Sequence, residues 1–371
     1  MDFEFSDEQY LVRESVRSFL GDHWTTARLR AAGAQFQPEL WNGLCELGLQ
    51  TLLVPERFGG AGLGLADLVL VLEEFGRALV PGPMMDTILA SEIIARFGGE
   101  RQHTALLSAI VAGEVRIAFC HAESGAGHTP EEIRVRAMRR GTDWQLAGRK
   151  VLVPVAEAAT LFLVSARGES GEVGLFLCDA GASGIAISRH HAIDPNSMLC
   201  RVDFEGAAAE PLGTRTDGAA LARLLETSTI GAAAQMAGIA RAALDLTVAY
   251  SKQRTQFDRL IGSFQAIKHR CADMLMAVET AGTAAYYSAW AADEGGNALP
   301  FAVSMAKAFC GDACRRVCND ALQIHGGVGF TQEFDVHLYL KRGKVLEYAF
   351  GDATWHRERV ASLLLPGQLA A

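Results

Sequence analysis

The chain has 371 residues, 50% of them hydrophobic and 21% charged, with a formal net charge of -9. That length supports a large core shared among two or three packed units, and the composition is ordinary for a soluble globular protein. The acidic balance argues against a nucleic-acid surface or an anionic membrane partner, no run of ~18 apolar residues argues for a spanning helix, and the acidic opening Met1-Asp-Phe-Glu-Phe-Ser-Asp-Glu8 is unlike a secretory signal, so a cytoplasmic protein is expected.

Residues 1–115 read as an N-terminal helical domain. Ser6 followed by Gln9 makes a capping-box start, and Tyr10, Leu11, Val16, Phe19 and Leu20 then fall on roughly one face. Further helices are expected over Glu39–Leu47, Leu65–Ala78, Met84–Phe97 and Gln102–Val111. The glycine-rich stretch Pro55–Gly64 follows a helix and lacks a Walker lysine, so it reads as a turn and not as a phosphate loop.

Over 116–212 the period changes. The runs Val115–Cys120, Ile133–Ala137, Trp144–Val153, Thr160–Ser165, Val173–Cys178, Ile185–Ser188 and Met198–Phe204 are rich in β-branched and aromatic residues and separated by glycine-containing turns. They imply a central domain built as an antiparallel β-barrel or sandwich. Residues 213–371 return to long helices: an alanine-rich run through Tyr250, then Phe264–Asp293 and Ala302–His325. Ala232, Ala233, Ala234 and Gly238 suit close helix approach in a bundle, and the fold class is α+β.

Eight scattered cysteines do not form a disulfide framework. Cys310, Cys314 and Cys318 share a helix face, but in a row and not around a point, so they read as small core hydrophobes. His269, His325 and His356 are isolated, without metal-ligand spacing.

Two constellations carry chemistry. In Tyr250–Gln265, Arg254 offers a planar fork suited to a pyrophosphate, Phe257 a ring that could stack on another ring system, Gly262 a turn and Gln265 an amide within reach of a nucleotide. The alternative is that Arg254 caps a helix C-terminus and Phe257 is core; the stretch alone leaves both open. In Gln323–Phe330, the pair Gly326 and Gly327 lets backbone approach a ligand beside the Gln323 amide.

Together, in this order and spacing, Arg254-x-x-Phe257-Asp258…Phe264-Gln265 and Gln323-Ile-His-Gly-Gly327 resemble the two flavin-binding signatures of the acyl-CoA dehydrogenase family, with Asp258 in place of the usual glycine. The order of helices, strands and helices along the whole chain is similar to that family's. The resemblance implies the acyl-CoA dehydrogenase fold with a C-terminal four-helix bundle, FAD as cofactor, and α,β-dehydrogenation of an acyl-CoA thioester. It also implies electron-transfer flavoprotein as acceptor and a homo- or hetero-oligomeric dimer or tetramer with the flavin at a subunit interface. Arg254, Phe257, Gln265, Gln323, Gly326 and Gly327 would contact FAD, the first three and the last three from different protomers.

The chain departs from the family elsewhere. Ala122–Thr129 replaces Thr-Glu-Pro-x-x-Gly-Ser-Asp, keeping Glu123 and Gly127 but setting His128 where a serine meets substrate. Val151–Val155 replaces the strand that cups the isoalloxazine, and Pro154 removes a backbone donor there. The usual catalytic glutamate is Phe350, and the position used by a minority of members is Ser228, with Thr229 in place of an arginine that helps hold CoA. Glu226 and Glu347 are nearby carboxylates, and Asp352 reads either as a displaced base or as a helix N-cap. Three readings follow: the base-lacking subunit of an α2β2 heteromer acting on a bulky, steroid-like thioester, a self-sufficient dehydrogenase using Asp352, or a non-catalytic structural subunit. A flavin oxidase or hydroxylase on the same fold is a weaker fourth.

Overall fold

The structure is a computed structural model that describes residues 5–125, 128–213 and 218–365. In chain order the helices are α1 (Asp7–His23), α2 (Thr26–Ala32), α3 (Pro38–Glu46), α4 (Leu65–Arg77), α5 (Met84–Phe97), α6 (Glu100–Gln102) and α7 (Ser108–Val111). Seven strands follow: β1 (Ile117–Cys120), β2 (Arg136–Arg140), β3 (Asp143–Pro154), β4 (Leu161–Arg167), β5 (Val173–Asp179), β6 (Ile185–Arg189) and β7 (Leu199–Pro211). Next come α8 (Ala219–Ser251), the short strands β8 (Thr255–Gln256) and β9 (Arg259–Leu260), α9 (Gln265–Glu294), α10 (Leu299–His325), α11 (Val336–Tyr348) and α12 (Ala353–Leu364).

The chain divides into two compact units. One, the helical unit, holds Met1–Ala31, Leu65–Val80 and Thr229–Ala371; the other, the strand unit, holds Ala32–Gly64 and Pro81–Ser228.

In the strand unit, β4, β5, β7, β3 and β2 form a ring. Every neighbour in it is antiparallel except the closing contact, where β2 meets β4 in parallel at Arg136 and Arg167. β1 lies parallel to β4, Ile117–Cys120 against Leu161–Val164, and β6 adds to β7. The sheet is therefore mixed, where the strand pattern led to the expectation of an antiparallel one. Alternation of side chains reports which face is buried but not strand direction, and the long excursion between β1 and β4 supplies the crossover a parallel pair needs. Leu146, Phe162, Val164, Phe176, Val202 and Phe204 fill the interior.

α5 completes β1. The Ile117 N–H donates to Thr87 Oγ1 at 2.9 Å and the Phe119 N–H to Asp86 Oδ2 at 3.1 Å, so helix side chains take the place of a further strand. Burial raises the Asp86 carboxyl to about 7, with the Phe119 N–H opposing the shift. Pro55–Gly64 is a turn, as expected, with Gly59 at φ +85° ending a single 3-10 turn over Glu56–Phe58.

In the helical unit, α1 starts with the reciprocal cap of Ser6 and Gln9. α10 begins at Leu299, ahead of the expected Ala302, because Pro300 fits the first turn, where its missing N–H costs nothing. The Asp293 carboxylate caps α4 by accepting from the Leu65 and Ala66 N–H groups, both at 2.8 Å. Cys310, Cys314 and Cys318 are buried in packing contacts, and no group of three potential metal ligands occurs among the described residues. Among those residues no helix is long and apolar enough to cross a membrane.

Candidate functional site

At the end of α8 the Arg254 N–H closes the helix on the Tyr250 carbonyl at 2.9 Å, and the Arg254 carbonyl accepts from Ile261 N at 2.8 Å. The helix end is thus satisfied by backbone, and the exposed Arg254 guanidinium has no partner among the described residues. β8 and β9 pair as a hairpin whose two-residue turn is Phe257–Asp258, at φ +53° and +60°. Left-handed geometry at both turn positions normally selects Asn, Asp or Gly, and here it carries Phe257 out to 86% exposure. Phe257 is therefore not a core residue. Its ring meets Phe264 edge-on at 6.2 Å, and Arg259 lies 3.9 Å over that same Phe264 ring.

Gly262 is required by close approach, since a Cβ there would lie 2.8 Å from the Ser251 carbonyl oxygen. Gln265 opens α9, exposed, where Phe264 provides no capping side chain and the first turn holds no acidic residue. Such an uncapped helix start favours an anion.

At the end of α10, Gln323, Gly326 and Gly327 are exposed. Gly326 has φ +66° and ψ -146°, and a Cβ added to either glycine would meet nothing within 4 Å. The space over this backbone is open to a ligand. The two motifs meet at their bases within one chain: the Tyr250 and His325 rings stack at 4.4 Å and 19°, with Phe334 edge-on to both at 6.0 and 6.3 Å. His325, isolated in the sequence, is thus a structural joint, and burial lowers its pKa.

The first motif offers an unpaired guanidinium, an exposed amide and an open helix N-terminus, the second an exposed amide and glycine backbone with free space above it, and each is chemistry that fits polar groups such as the pyrophosphate and nucleoside of FAD.

The turn between α11 and α12, which holds Phe350, is tightly built. Phe350 adopts φ +58° and Gly351 φ +100°, and a Cβ at Gly351 would lie 2.6 Å from the Trp355 ring. The fully buried Lys307 donates to the Glu347 carbonyl at 2.9 Å and the Gly351 carbonyl at 2.6 Å, and burial lowers its pKa to about 8. Asp352 caps α12, accepting from Trp355 N at 2.9 Å. Glu347 is held by Arg315 at 3.0 Å and Lys344 at 2.8 Å. On α8, Ser228 and Thr229 are both buried.

In the strand unit, Glu123 accepts from the Arg134 and Val135 N–H groups at 2.8 and 3.1 Å and pairs with Lys150 at 2.7 Å. Gly127 lies outside the described residues. Pro154 ends β3 opposite Leu199, and the next N–H, from Val155, is taken by Met198. A bulge between Lys150 and Val153 turns Leu152 outward at φ +54°. Lys150, Lys307 and Asp86 escaped the sequence reading. Their one signal is a charged residue inside an otherwise apolar run.

The family models described as acyl-CoA dehydrogenase N-terminal domain and acyl-CoA dehydrogenase C-terminal domain match residues 6–114 and 218–365. The chain is 33% identical over 345 residues to the acyl-CoA dehydrogenase IpdE2 of Mycolicibacterium smegmatis, covering 91% of this chain and 92% of that protein. Among solved structures, a variant of the Tcur3481-Tcur3483 steroid ACAD superposes with a TM-score of 0.89 at 32% identity, over 96% of this chain and 98% of that one. The ChsE4-ChsE5 complex from Mycobacterium tuberculosis gives a TM-score of 0.89 at 28% identity, over 98% and 99%.

Proposed function

The chain belongs to the acyl-CoA dehydrogenase family, and from that premise we propose that it is the FAD-binding, base-lacking subunit of a heteromeric enzyme that dehydrogenates a bulky, steroid-like acyl-CoA at its α,β-bond. FAD, when bound, supplies the acceptor for the hydride leaving the β-carbon. Arg254 and Gln265 of one protomer, and Gln323 with the backbone at Gly326 and Gly327 of another, would hold its polar groups, and Phe257 would supply a ring against it. An electron-transfer flavoprotein would be the acceptor that reoxidises the enzyme.

The observation that carries the reading is the α11–α12 turn. Removal of the α-proton needs a carboxylate free to accept it, and here Phe350 stands at the family's position for it. Asp352 is engaged in its cap and Glu347 in two ion pairs. The base is then supplied by the other chain. Support for a paired arrangement and a steroid-like substrate comes from the structural neighbours, one of them a steroid enzyme with a two-part name and the other a two-protein complex.

The test is to purify the chain alone and with a co-expressed partner, and to add a panel of acyl-CoAs without oxygen. Flavin colour that persists for the lone chain and bleaches only in the heteromer is the expected result. Bleaching by the lone chain, abolished by Asp352→Asn, would overturn it in favour of a self-sufficient enzyme.

A further inference from the structure

Lys150 is fully buried, yet the ammonium is saturated by three acceptors from two segments. It donates to the His121 carbonyl at 2.9 Å and to Glu123 Oε1 at 2.7 Å, both after β1, and to Ser165 Oγ of β4 at 2.9 Å. Glu123 carries the link on to Arg134 and Val135 ahead of β2. Beside it the Val151 N–H donates to the Ala122 carbonyl at 2.8 Å, and directly beyond it β3 breaks register to turn Leu152 outward. Two segments of the strand unit therefore bond directly to one nitrogen of β3, and the chain ahead of β2 joins them through Glu123.

A buried ammonium is expensive to desolvate, and an unbranched apolar side chain of similar length would fill the same space without that cost. What lysine adds is three directed N–H bonds. We infer that Lys150 is a positioning residue that sets the relative placement of His121–Gly125 and Val151–Val155, a rim of the strand unit made of the two segments that replace the family's flavin-side stretches. This rests on the FAD reading above, because the family resemblance is what sets that rim against the cofactor. Lys150 has no contact with the cofactor in this role and acts through the two segments it ties together.

Lys150→Met alone strands the Glu123 carboxylate, so the decisive variant pairs it with Glu123→Gln, which keeps an acceptor for Arg134 and Val135. Hydrogen exchange of the full chain, read by mass spectrometry, and titration with FAD followed by absorbance give independent readouts. The expected result is a double variant that stays folded by circular dichroism but exchanges about tenfold faster in both rim segments. It also binds FAD about tenfold more weakly, with an altered flavin band shape. Unchanged rim exchange, or faster exchange with FAD affinity and band shape unaltered, would overturn the inference and leave Lys150 a plain stabiliser. Wild-type protein that takes up no FAD, alone or with its partner, would instead sink the functional reading, and the exchange measurement still decides whether Lys150 positions the rim.

Discussion

A methyl group on Gly238 of α8 would lie 1.9 Å from the carbonyl oxygen of Glu73 on α4. The contact has a counterpart, since a Cβ on Gly76 of α4 would lie 2.0 Å from the Gln235 carbonyl oxygen. Backbone touches backbone, and no side chain can yield. Gly238→Ala should therefore destabilise by roughly 3 kcal/mol or more, although alanine in a free helix gains about 1 kcal/mol over glycine. Urea denaturation of Gly238→Ala and Gly76→Ala checks this, and a gain in stability would mean the helices are not in contact.

Asp352 allows cap and base to be separated. Asparagine caps helices as well as aspartate but cannot take a proton as a carboxylate does. Asp352→Asn should match wild-type stability, while Asp352→Ala should lose about 1 kcal/mol. Neither should change turnover by the proposed heteromer. A large loss of turnover in Asp352→Asn, with its melting temperature intact, would assign Asp352 to the chemistry.

Phe350 stands in a turn whose shape is imposed by its surroundings: Gly351, the Asp352 cap and the Lys307 ammonium remain if the side chain is changed. Phe350→Glu should place a carboxylate where the family uses one, and the lone chain should then bleach its flavin with an acyl-CoA that wild type ignores. Rapid mixing under anaerobic conditions measures it. No bleaching in a variant that retains flavin would show that the substrate pocket also depends on the partner.

Asp86 predicts a pH dependence. Its carboxyl is raised from 3.8 to about 7 by burial, so the folded chain holds a proton there that the unfolded chain releases at lower pH. Stability from this group is full below the unfolded value and falls as pH rises through about 7. Asp86→Asn keeps an acceptor for the Phe119 N–H and removes the titration. Its unfolding free energy should vary less than that of wild type between about pH 4 and 7. Asp86→Leu, which strands that N–H, should cost about 1–3 kcal/mol at every pH.

The helices with an apolar stripe and the seven strands were legible because periodicity reports burial, which is what folds them. The parallel contacts of β1 and β2 with β4 were not, since side-chain alternation is blind to direction. α11 also escaped, because Val336–Tyr348 alternates charged and apolar residues without a clean face. The β8–β9 hairpin gave no warning either: Phe257–Asp258 is not a dipeptide whose backbone preference announces a left-handed turn. The flavin-contacting candidates could be named from Arg254, Gln265 and the glycines at 326 and 327. The clamps at Lys150 and Lys307 could not, because each lysine acts through partners distant in sequence.

The ring in the strand unit has a consequence for synthesis. Its hairpins β2–β3 and β4–β5 are local and can close as soon as they leave the ribosome, because short loops cost little entropy. Joining them falls to β7, which pairs with β3, β5 and β6 at once, while the seam between β2 and β4 rests on the single pair Arg136–Arg167. Until Pro211 has emerged, the nascent chain carries two unsealed hairpins with open edges. The last strand of this unit to be made is the one that turns them into a closed body.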